Sequence, residues 1–440
     1  MTLLVISPDY ASHLLPLVTL ATAWRERGER VVVATGPSTD AIVASFGFER
    51  VHLQLGRGSN PGVIRADDQP DEEADSLRGF FDATREGMVP TLLYQANERL
   101  TDLMWDPVTA GRATLRIIDD VRPDSILIDH LAFSARLALD VAGHDYADVV
   151  LGHPSALPVG DELYGYPPAW PAAFAPRPDE LAALRAVCER VSANFTAGWN
   201  RTATALDPRA AGSPSAFAEH GPRVLYNYPR ELAPASTAAG ADFLGSTRRE
   251  EPADADVDGW LAAGEPFVYV SFGSFLSVRG DVLRRVCDAL RGLGVRAAVA
   301  TGSTAPSDIG PVPADWLVRA YLPQVRLLGA AAAAVTHGGN NSVTEALGAG
   351  VPLLVLPFST DQFAGAAAIE RTRVGVSLAP NDATVAQLTV ALDALLTREG
   401  IDTRMLSAIA ADQRDVPGPE RAYRSLTSEA IAAASPDAAS

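Results

Sequence analysis

The sequence predicts an α/β protein with two parallel-sheet domains, one after the other along the chain. Its 440 residues exceed what one hydrophobic core usually organises, so two domains are expected. Strand-like apolar runs alternate with helix-like segments in two separate series, which begin near residues 2 and 267. Such alternation is typical of parallel sheets covered by helices. We therefore expect two Rossmann-like domains facing each other across a cleft.

The first series opens with a βαβ unit. Residues 2–6 form an apolar run, residues 14–27 carry apolar side chains at helical spacing, and residues 31–34 are again strand-like. Such a unit joins parallel strands by a right-handed crossover. A later buried strand, residues 125–128, ends at Asp129. Ligands of open α/β sheets gather at the carboxyl ends of strands, which makes Asp129 a candidate functional residue.

The second series begins at residue 267, after a stretch rich in proline, small and acidic residues that we interpret as a linker. The predicted division of the chain is an N-terminal domain of residues 1–228, a linker of residues 229–265, a C-terminal domain of residues 266–410, and a final segment of residues 411–440. We expect that segment to form a helix that packs back on the N-terminal domain and ends in a frayed tail.

Composition excludes several classes of function. The net charge of -18 argues against nucleic acid and anionic membranes as partners. The chain contains no lysine, which excludes Schiff-base chemistry, pyridoxal phosphate attachment and a phosphate-loop lysine. Two cysteines are too few for a disulfide framework, so a cytoplasmic location is expected. The sequence has no run of about 18 apolar residues and starts like a strand, so we expect neither stable membrane insertion nor a signal peptide.

The second series contains a predicted anion site. An apolar strand, residues 331–335, runs into a glycine-rich turn, and a helix is expected to start near Asn341. Free backbone N–H groups and the positive end of the helix would both face a phosphate there. His337 and Ser342 add side-chain donors at the same place.

A stretch of residues 154–178 is rich in proline and aromatic side chains, so no regular element is expected there. It either walls an apolar cleft or covers the core. Its aromatic residues are Tyr164, Tyr166, Trp170 and Phe174.

The region around the anion site carries an ordered set of motifs. They are Tyr321-Leu322-Pro323-Gln324, Thr336-His337-Gly338-Gly339, Asn341-Ser342, Glu345, Gly350-Val351-Pro352 and Asp361-Gln362. This set resembles the inverting nucleotide-sugar glycosyltransferases of the GT-B fold, the UDP-glycosyltransferase-like family that includes bacterial macrolide and antibiotic glycosyltransferases. The resemblance covers most of the chain and is stronger in its C-terminal half.

The resemblance implies a role for each matching residue on the donor side. Tyr321 would stack on the nucleobase, the backbone at Gln324 and Val325 would read the base edge, and Glu345 would accept hydrogen bonds from the ribose. The residues implied to hold the diphosphate are Gly273, Ser274, His337, Gly339, Asn341 and Ser342. Asp361 and Gln362 are implied to bind sugar hydroxyls. Asn340 belongs to the same donor-binding turn but departs from the family pattern, which leaves its sugar contact open.

On the other side of the cleft, the start of the first predicted helix resembles the family's catalytic motif, with Ser12 in place of a glycine. The resemblance implies that His13 is the general base and that Asp129 orients it and stabilises its charged form. His130, next to Asp129, ranks well below His13 as a base. His153 and the aromatic stretch would contact the acceptor, as weaker candidates.

The expected function is a metal-independent, inverting transfer of a hexose from a nucleoside diphosphate sugar to a small-molecule natural product, with no cofactor. UDP-glucose is the favoured donor and a dTDP-deoxysugar the alternative. The pair Asp254 and Asp256 matches the metal-binding spacing of another glycosyltransferase class, but it lies in the linker and we expect no metal site. Two other readings are a non-catalytic sugar-nucleotide-binding helper and a sugar-nucleotide epimerase of similar fold. A monomer or a homodimer is expected.

Overall fold

The computed structural model describes residues 1–62, 71–100, 103–238, 240–262, 264, 266–273 and 276–433. It contains two parallel sheets, one in each half of the chain, with helices packed on them. Ser274, which was expected near the phosphates, lies outside the described residues.

The first sheet has seven strands in the order β3-β2-β1-β4-β5-β6-β7. Its strands are β1 (Thr2–Ile6), β2 (Arg30–Thr35), β3 (Glu49–His52), β4 (Ser125–Asp129), β5 (Ala147–Val150), β6 (Arg223–Tyr226) and β7 (Ala241–Phe243). The strand order reverses between β1 and β4, where Ile6 pairs with Ile128. Such a switch point opens a crevice at the carboxyl ends of the two strands. Asp129 therefore lies at the place where a ligand site is expected.

The helices of this half are α1 (Ala11–Arg25), α2 (Asp40–Ser45), α3 (Asp71–Glu86), α4 (Met88–Glu98), α5 (Pro107–Val121), α6 (Phe133–Ala142) and α7 (Pro178–Leu206). The apolar face of α1 covers the sheet, and Leu14, Leu17 and Trp24 are completely buried. The 29-residue helix α7 packs against α4, α5 and α6.

The second sheet has six strands in the order β10-β9-β8-β11-β12-β13. They are β8 (Phe267–Ser271), β9 (Arg296–Ala300), β10 (Leu317–Arg319), β11 (Ala333–Thr336), β12 (Leu353–Val355) and β13 (Gly375–Ser377). Its switch point lies between β8 and β11, where Thr336 pairs with Ser271. The second half therefore has its own crevice, at the glycine-rich turn predicted to bind an anion.

The remaining helices are α8 (Ala255–Leu261), α9 (Gly280–Leu293), α10 (Gln324–Leu328), α11 (Asn340–Gly348), α12 (Gln362–Thr372), α13 (Val385–Thr397), α14 (Thr403–Asp415) and α15 (Gly418–Ala433). The last of these packs against α1, where the Trp24 and Tyr423 rings meet edge to face at 5.0 Å between centroids. Strand β7 lies inside the segment interpreted as a linker and completes the first sheet by pairing with β6. Within the described parts of the chain, no helix is both long and apolar enough to span a membrane.

Candidate active site

The two switch points face one interdomain cavity of ≈ 740 Å³. The first half lines it with the start of α1, including Ser12 and His13, and with parts of α3 and α4. The second half lines it with the turn between β11 and α11 and with the residues after β12. The candidate base and the candidate anion site, which lie more than three hundred residues apart in sequence, therefore open into the same space.

His13 and Asp129 form a hydrogen-bonded pair at the wall of this cavity. The His13 side chain is 23% exposed and Asp129 is completely buried, with 2.6 Å between His13 Nδ1 and Asp129 Oδ2. The other carboxylate oxygen, Oδ1, accepts the Leu131 backbone N–H at 2.8 Å. Because an ionised carboxylate can only accept, Nδ1 carries the hydrogen and Nε2 keeps its lone pair. This is the tautomer that a general base requires.

Electrostatic interactions favour the charged forms of both His13 and Asp129. Burial alone would lower the pKa of His13, but the charge of Asp129 and its hydrogen bond outweigh burial and raise that pKa. Burial likewise opposes ionisation of Asp129, and the interaction with His13 reverses this and lowers the pKa of the carboxyl. By contrast, burial lowers the pKa of His130 to about 4, and its Nδ1 lies 3.6 Å from Asp129 Oδ1. His130 is therefore a buried neutral neighbour of the pair.

The glycine-rich turn is shaped around the His337 ring. A Cβ atom at Gly339 would lie 2.4 Å from His337 Nε2, and one at Gly273 would lie 2.7 Å from Cε1. Gly273 also has a φ of +69°, which glycine adopts at little cost. Burial lowers the pKa of His337 to about 4, so the ring is neutral. Among the described residues, no side chain caps the N-terminus of α11, so its first backbone N–H groups remain available to an anion.

Two side chains of this turn bond to the N-terminal half. Asn341 Nδ2 donates to the Ser12 carbonyl at 3.1 Å, next to His13. Asn340 and Asn227 form a reciprocal pair, in which each side-chain nitrogen donates at 2.8 Å to an oxygen of the other residue. Asn340 and Asn341, which were predicted to bind the nucleotide sugar, therefore line the cavity and also bond to the N-terminal half.

Of the residues predicted to contact the nucleotide, Tyr321 and Gln324 line the cavity, whereas Glu345 does not occur in its described lining. Tyr321 is 68% exposed and lines the cavity, as a stacking platform requires. Glu345 is buried, with Oε2 accepting Gln324 Nε2 at 2.6 Å and Oε1 paired with Arg249. Arg249 lines the cavity and was not predicted, because it lies in the segment interpreted as a linker. Val325 follows Gln324 at the start of α10, with its side chain buried.

A model of the family described as UDP-glucoronosyl and UDP-glucosyl transferase matches residues 193–418, just over half of the chain. The chain belongs to this family. The matched range contains the whole predicted donor side, from Gly273 to Gln362, but neither His13 nor Asp129. The family match therefore says nothing about His13 and Asp129, and their candidacy as a catalytic pair in this transferase depends on the geometry described above.

Curated relatives of the transferase family align with parts of the chain. NDP-glycosyltransferase YjiC of Bacillus subtilis (strain 168) is 30% identical over 183 residues, 41% of this chain and 44% of that protein. Oleandomycin glycosyltransferase of Streptomyces antibioticus is 29% identical over 223 residues, 49% of this chain and 51% of that protein. The chain thus spans about half the length of these relatives. Demethyllactenocin mycarosyltransferase of Streptomyces fradiae is 28% identical over 414 residues, 89% of this chain and 79% of that protein.

Solved structures match over nearly the whole chain. Spinosyn forosaminyltransferase SpnP superposes with a TM-score of 0.70 at 16% identity, covering 98% of this chain and 99% of that one. The glycosyltransferase SnogD from Streptomyces nogalater gives a TM-score of 0.64 at 20% identity, covering 99% of each chain. At these identities the likeness concerns the fold, and it confirms the predicted GT-B arrangement of two facing α/β domains.

The two residues predicted from the transferase motifs to bind the sugar, Asp361 and Gln362, have different surroundings in the structure. Gln362 lines the cavity, and its Oε1 accepts the backbone N–H groups of Phe358 and Ser359 at 3.0 and 3.1 Å. Asp361 instead accepts the His153 backbone N–H at 2.6 Å. Among the described residues that line the cavity, Asp361 does not appear.

The residues predicted to contact the acceptor lie outside the described lining of the cavity. The aromatic side chains of the 154–178 stretch pack into the core of α4, α6 and α7, and Tyr164 stacks on Phe217 at 4.1 Å between centroids. His153 is buried, and its Nδ1 bonds to the Ser155 hydroxyl at 2.8 Å. In the described lining of the cavity, neither His153 nor the predicted aromatic residues occur; those residues are Tyr164, Tyr166, Trp170 and Phe174. Of the two alternatives for this stretch, the contacts favour a cover for the core.

Other side chains of the N-terminal half line the cavity instead. They are Tyr10 and Leu15 beside the base, Leu77 and Phe80 on α3, and Tyr94, Gln95 and Glu98 on α4. The helical pattern of residues 77–120 indicates helices for the side chains on α3 and α4, but not which of their faces remain uncovered. Across the described residues, no group of three or more His, Cys, Asp or Glu side chains is placed to hold a metal ion.

Proposed function

We propose that the protein transfers a hexosyl group, with inversion, from a nucleoside diphosphate sugar to a hydroxyl of a small apolar molecule. One observation carries the proposal: His13, with Nδ1 bonded to Asp129 at 2.6 Å, opens into the same cavity as the uncapped N-terminus of α11. A base poised for a neutral hydroxyl and a site for a leaving anion are the two groups that a direct displacement needs.

In the proposed step, His13 Nε2 takes the proton of the acceptor hydroxyl while that oxygen attacks the anomeric carbon. The bond between this carbon and the diphosphate oxygen breaks, and its electron pair leaves with the nucleoside diphosphate. Attack on the face opposite the leaving group inverts the anomeric configuration. The backbone N–H groups at the start of α11 and the neutral His337 ring would stabilise the departing charge, and the mechanism requires no metal.

The donor wall supports a nucleotide sugar. Tyr321 lines the cavity and offers a face for a base. Glu345, the ribose ligand that the family resemblance implies, is buried and bonded to Gln324 and Arg249, which both line the cavity. The family description names UDP-glucosyl transfer, and the relative from Streptomyces fradiae is named as a mycarosyltransferase. UDP-glucose is therefore the first donor to test, and a dTDP-deoxysugar the second.

The acceptor wall supports an apolar molecule with at least one hydroxyl. Leu15, Leu77 and Phe80 line the cavity with apolar surface, and Tyr94 adds an aromatic ring. Polyphenols and macrolide-like aglycones fit this chemistry.

The proposal is tested by incubating the protein with UDP-glucose or a dTDP-sugar and a panel of such acceptors. The product should carry the sugar in the configuration opposite to that of the donor, as read by the anomeric proton coupling in NMR. The His13→Ala variant should lose about 100- to 10,000-fold in turnover. Retention of configuration, or near-normal turnover in that variant, would refute the mechanism.

A further inference from the structure

Helix α3 belongs to the N-terminal half but packs against both α4 and the second half of the chain. Its Leu77 and Phe81 form an apolar cluster that includes Val278, which lies just before α9. Phe80 packs against this cluster and also against a core cluster of the second half. Leu77 and Phe80 line the cavity as well. The second half therefore supports part of the wall that the proposed function assigns to the acceptor.

The C-terminal end of α3 bonds to two side chains of the second half. The last carbonyl groups of a helix have no partner within it, and they carry the negative end of the helix dipole. The Thr84 carbonyl accepts Arg279 Nη1 at 2.9 Å and Asn381 Nδ2 at 3.0 Å. The Arg85 carbonyl accepts the same Asn381 nitrogen at 3.1 Å. A cation and an amide from the other half thus satisfy the end of this helix.

The guanidinium of Arg279 is held on several sides. Its side chain is 2% exposed, and Nε and Nη2 each donate to a carboxylate oxygen of Asp281 at 2.8 Å. Nη2 also donates to Asn381 Oδ1 at 2.8 Å, and the Phe358 ring centroid lies 5.0 Å from Cζ. A buried charge is costly unless it is paired and hydrogen-bonded, and this arginine meets both conditions. It therefore presents Nη1 to α3 from a fixed position.

The loop that carries Asn381 is fixed to the second half in the same way. Arg285, on α9, donates through Nη2 to the Pro380 carbonyl at 2.8 Å and through Nη1 to the Ala383 carbonyl. Neither Arg279 nor Asn381 occurs in the described lining of the cavity. An effect of either residue on a molecule in the cavity would therefore have to pass through a neighbouring element, and α3 is the element that both of them bind.

We propose that Arg279 and Asn381 are positioning residues for the acceptor. They hold α3 against the second half, so that the wall at Leu77 and Phe80 is in place only while the two halves are in contact. The inference rests on the proposed function in taking this wall as the acceptor site. A wall that is already ordered favours binding, because ordering it on binding would cost part of the binding free energy. Acceptor binding then depends on the half of the chain that carries the predicted donor side.

The first test measures amide hydrogen exchange of the ligand-free protein in peptides covering residues 76–86 of α3. Asn381→Ala and Asn381→Asp both remove the amide donor from the Thr84 and Arg85 carbonyls, and the aspartate adds a negative charge at the negative end of the helix. Exchange in these peptides should become about tenfold faster.

The matched controls are Asn194→Ala and Asn194→Asp, which make the same changes on the exposed face of α7 and should leave exchange in α3 unchanged. Unchanged exchange in α3 in both Asn381 variants, with the controls also unchanged, would overturn the inference.

The second test separates KM from kcat in the same variants. With saturating UDP-glucose or dTDP-glucose, and quercetin or any other acceptor that the wild type glycosylates, the KM for the acceptor should rise about tenfold. The kcat at saturating acceptor should stay within about twofold, because the base and the anion site are untouched. Calorimetric titration with UDP and dTDP should show unchanged affinity.

Two results of the second test would overturn the inference: a fall in kcat with an unchanged KM for the acceptor, or a loss of nucleotide affinity as large as that of the acceptor. Such changes would mean that Asn381 supports the fold or the donor side in general. A wild-type protein that glycosylates no acceptor would refute the proposed function, while the exchange result would still decide whether Asn381 holds α3.

Discussion

Replacing Asp129 by asparagine should nearly abolish turnover, because an amide cannot satisfy the two donors that the carboxylate serves. Oδ2 accepts from His13 Nδ1 at 2.6 Å, and Oδ1 accepts from the Leu131 N–H at 2.8 Å. An amide has one acceptor, so in either orientation its NH₂ group faces an N–H donor. If it faces His13, the ring must move its hydrogen to Nε2, and the lone pair that takes the acceptor proton is lost.

The magnitude follows from the role of that lone pair. General-base catalysis contributes about 10²–10⁴ in rate, and Asp129→Asn should lose most of it in kcat. The side chain is fully buried and absent from the described cavity lining, so the affinity for UDP should change little. Release of nucleoside diphosphate under saturating donor and acceptor measures kcat, and calorimetric titration measures the affinity.

The pH profile gives an independent readout of the same variant. The Asp129 charge outweighs burial and raises the pKa of His13, so its removal lowers that pKa. Neutral His13 then persists to lower pH, and the acidic limb of residual kcat/KM should move in that direction. Asp119→Asn, on the exposed face of α5, is the control. Turnover close to that of the wild type, with an unmoved acidic limb, would refute the reasoning.

Three further variants test other parts of the structure. Arg249→Gln should weaken nucleoside diphosphate binding about tenfold, since it leaves Glu345 buried without its cation; titration with UDP and dTDP measures this. Gly339→Ala should reduce donor affinity in the same titration, because the added methyl group would displace the His337 ring. Arg136→Met should lower the free energy of unfolding in urea by about 3–5 kcal/mol, because it leaves the buried carboxylate of Asp148 without its cation.

Each of these variants has a counterpart that should behave differently. Arg248→Gln changes an exposed neighbour of Arg249 and should leave nucleotide affinity unchanged. Gly292→Ala adds a methyl group at a place where no described atom lies within 4 Å, and it should leave donor affinity unchanged. Adding Asp148→Leu to Arg136→Met removes the stranded carboxylate and should restore most of the lost stability. If a variant and its counterpart behave alike, the contact invoked for that variant is not the cause.

The sequence was most informative where local pattern and position in the sheet coincide. Strand β9, at Arg296–Ala300, and the turn into α11 follow directly from apolar runs and glycines. The carboxyl end of β4 made Asp129 a candidate functional residue from its position alone. Residues 154–178 show the limit of such reasoning, because aromatic side chains mark burial without saying which surface they are buried against.

Contacts between the halves could not be predicted, because they depend on how two independently patterned domains meet. The motif that resembles a sugar-binding pair gives no sign that Asp361 bonds to His153, 208 residues away in sequence. Arg249 could not be predicted for a related reason. In sequence, a polar residue in a proline-rich segment resembles any solvated linker residue, and only the structure shows that it pairs with Glu345.

The reciprocal amide contact of Asn227 and Asn340 has a consequence for recombining parts of such proteins. Asn227 precedes the connection between the halves and Asn340 follows it, so a chimera joined in that connection takes one amide from each parent. Both groups are neutral, so ionic strength should hardly affect the contact. Whether two parent proteins are compatible at this contact then depends on shape and on matching hydrogen-bond donors and acceptors. A chimera should therefore keep both Asn227 and Asn340.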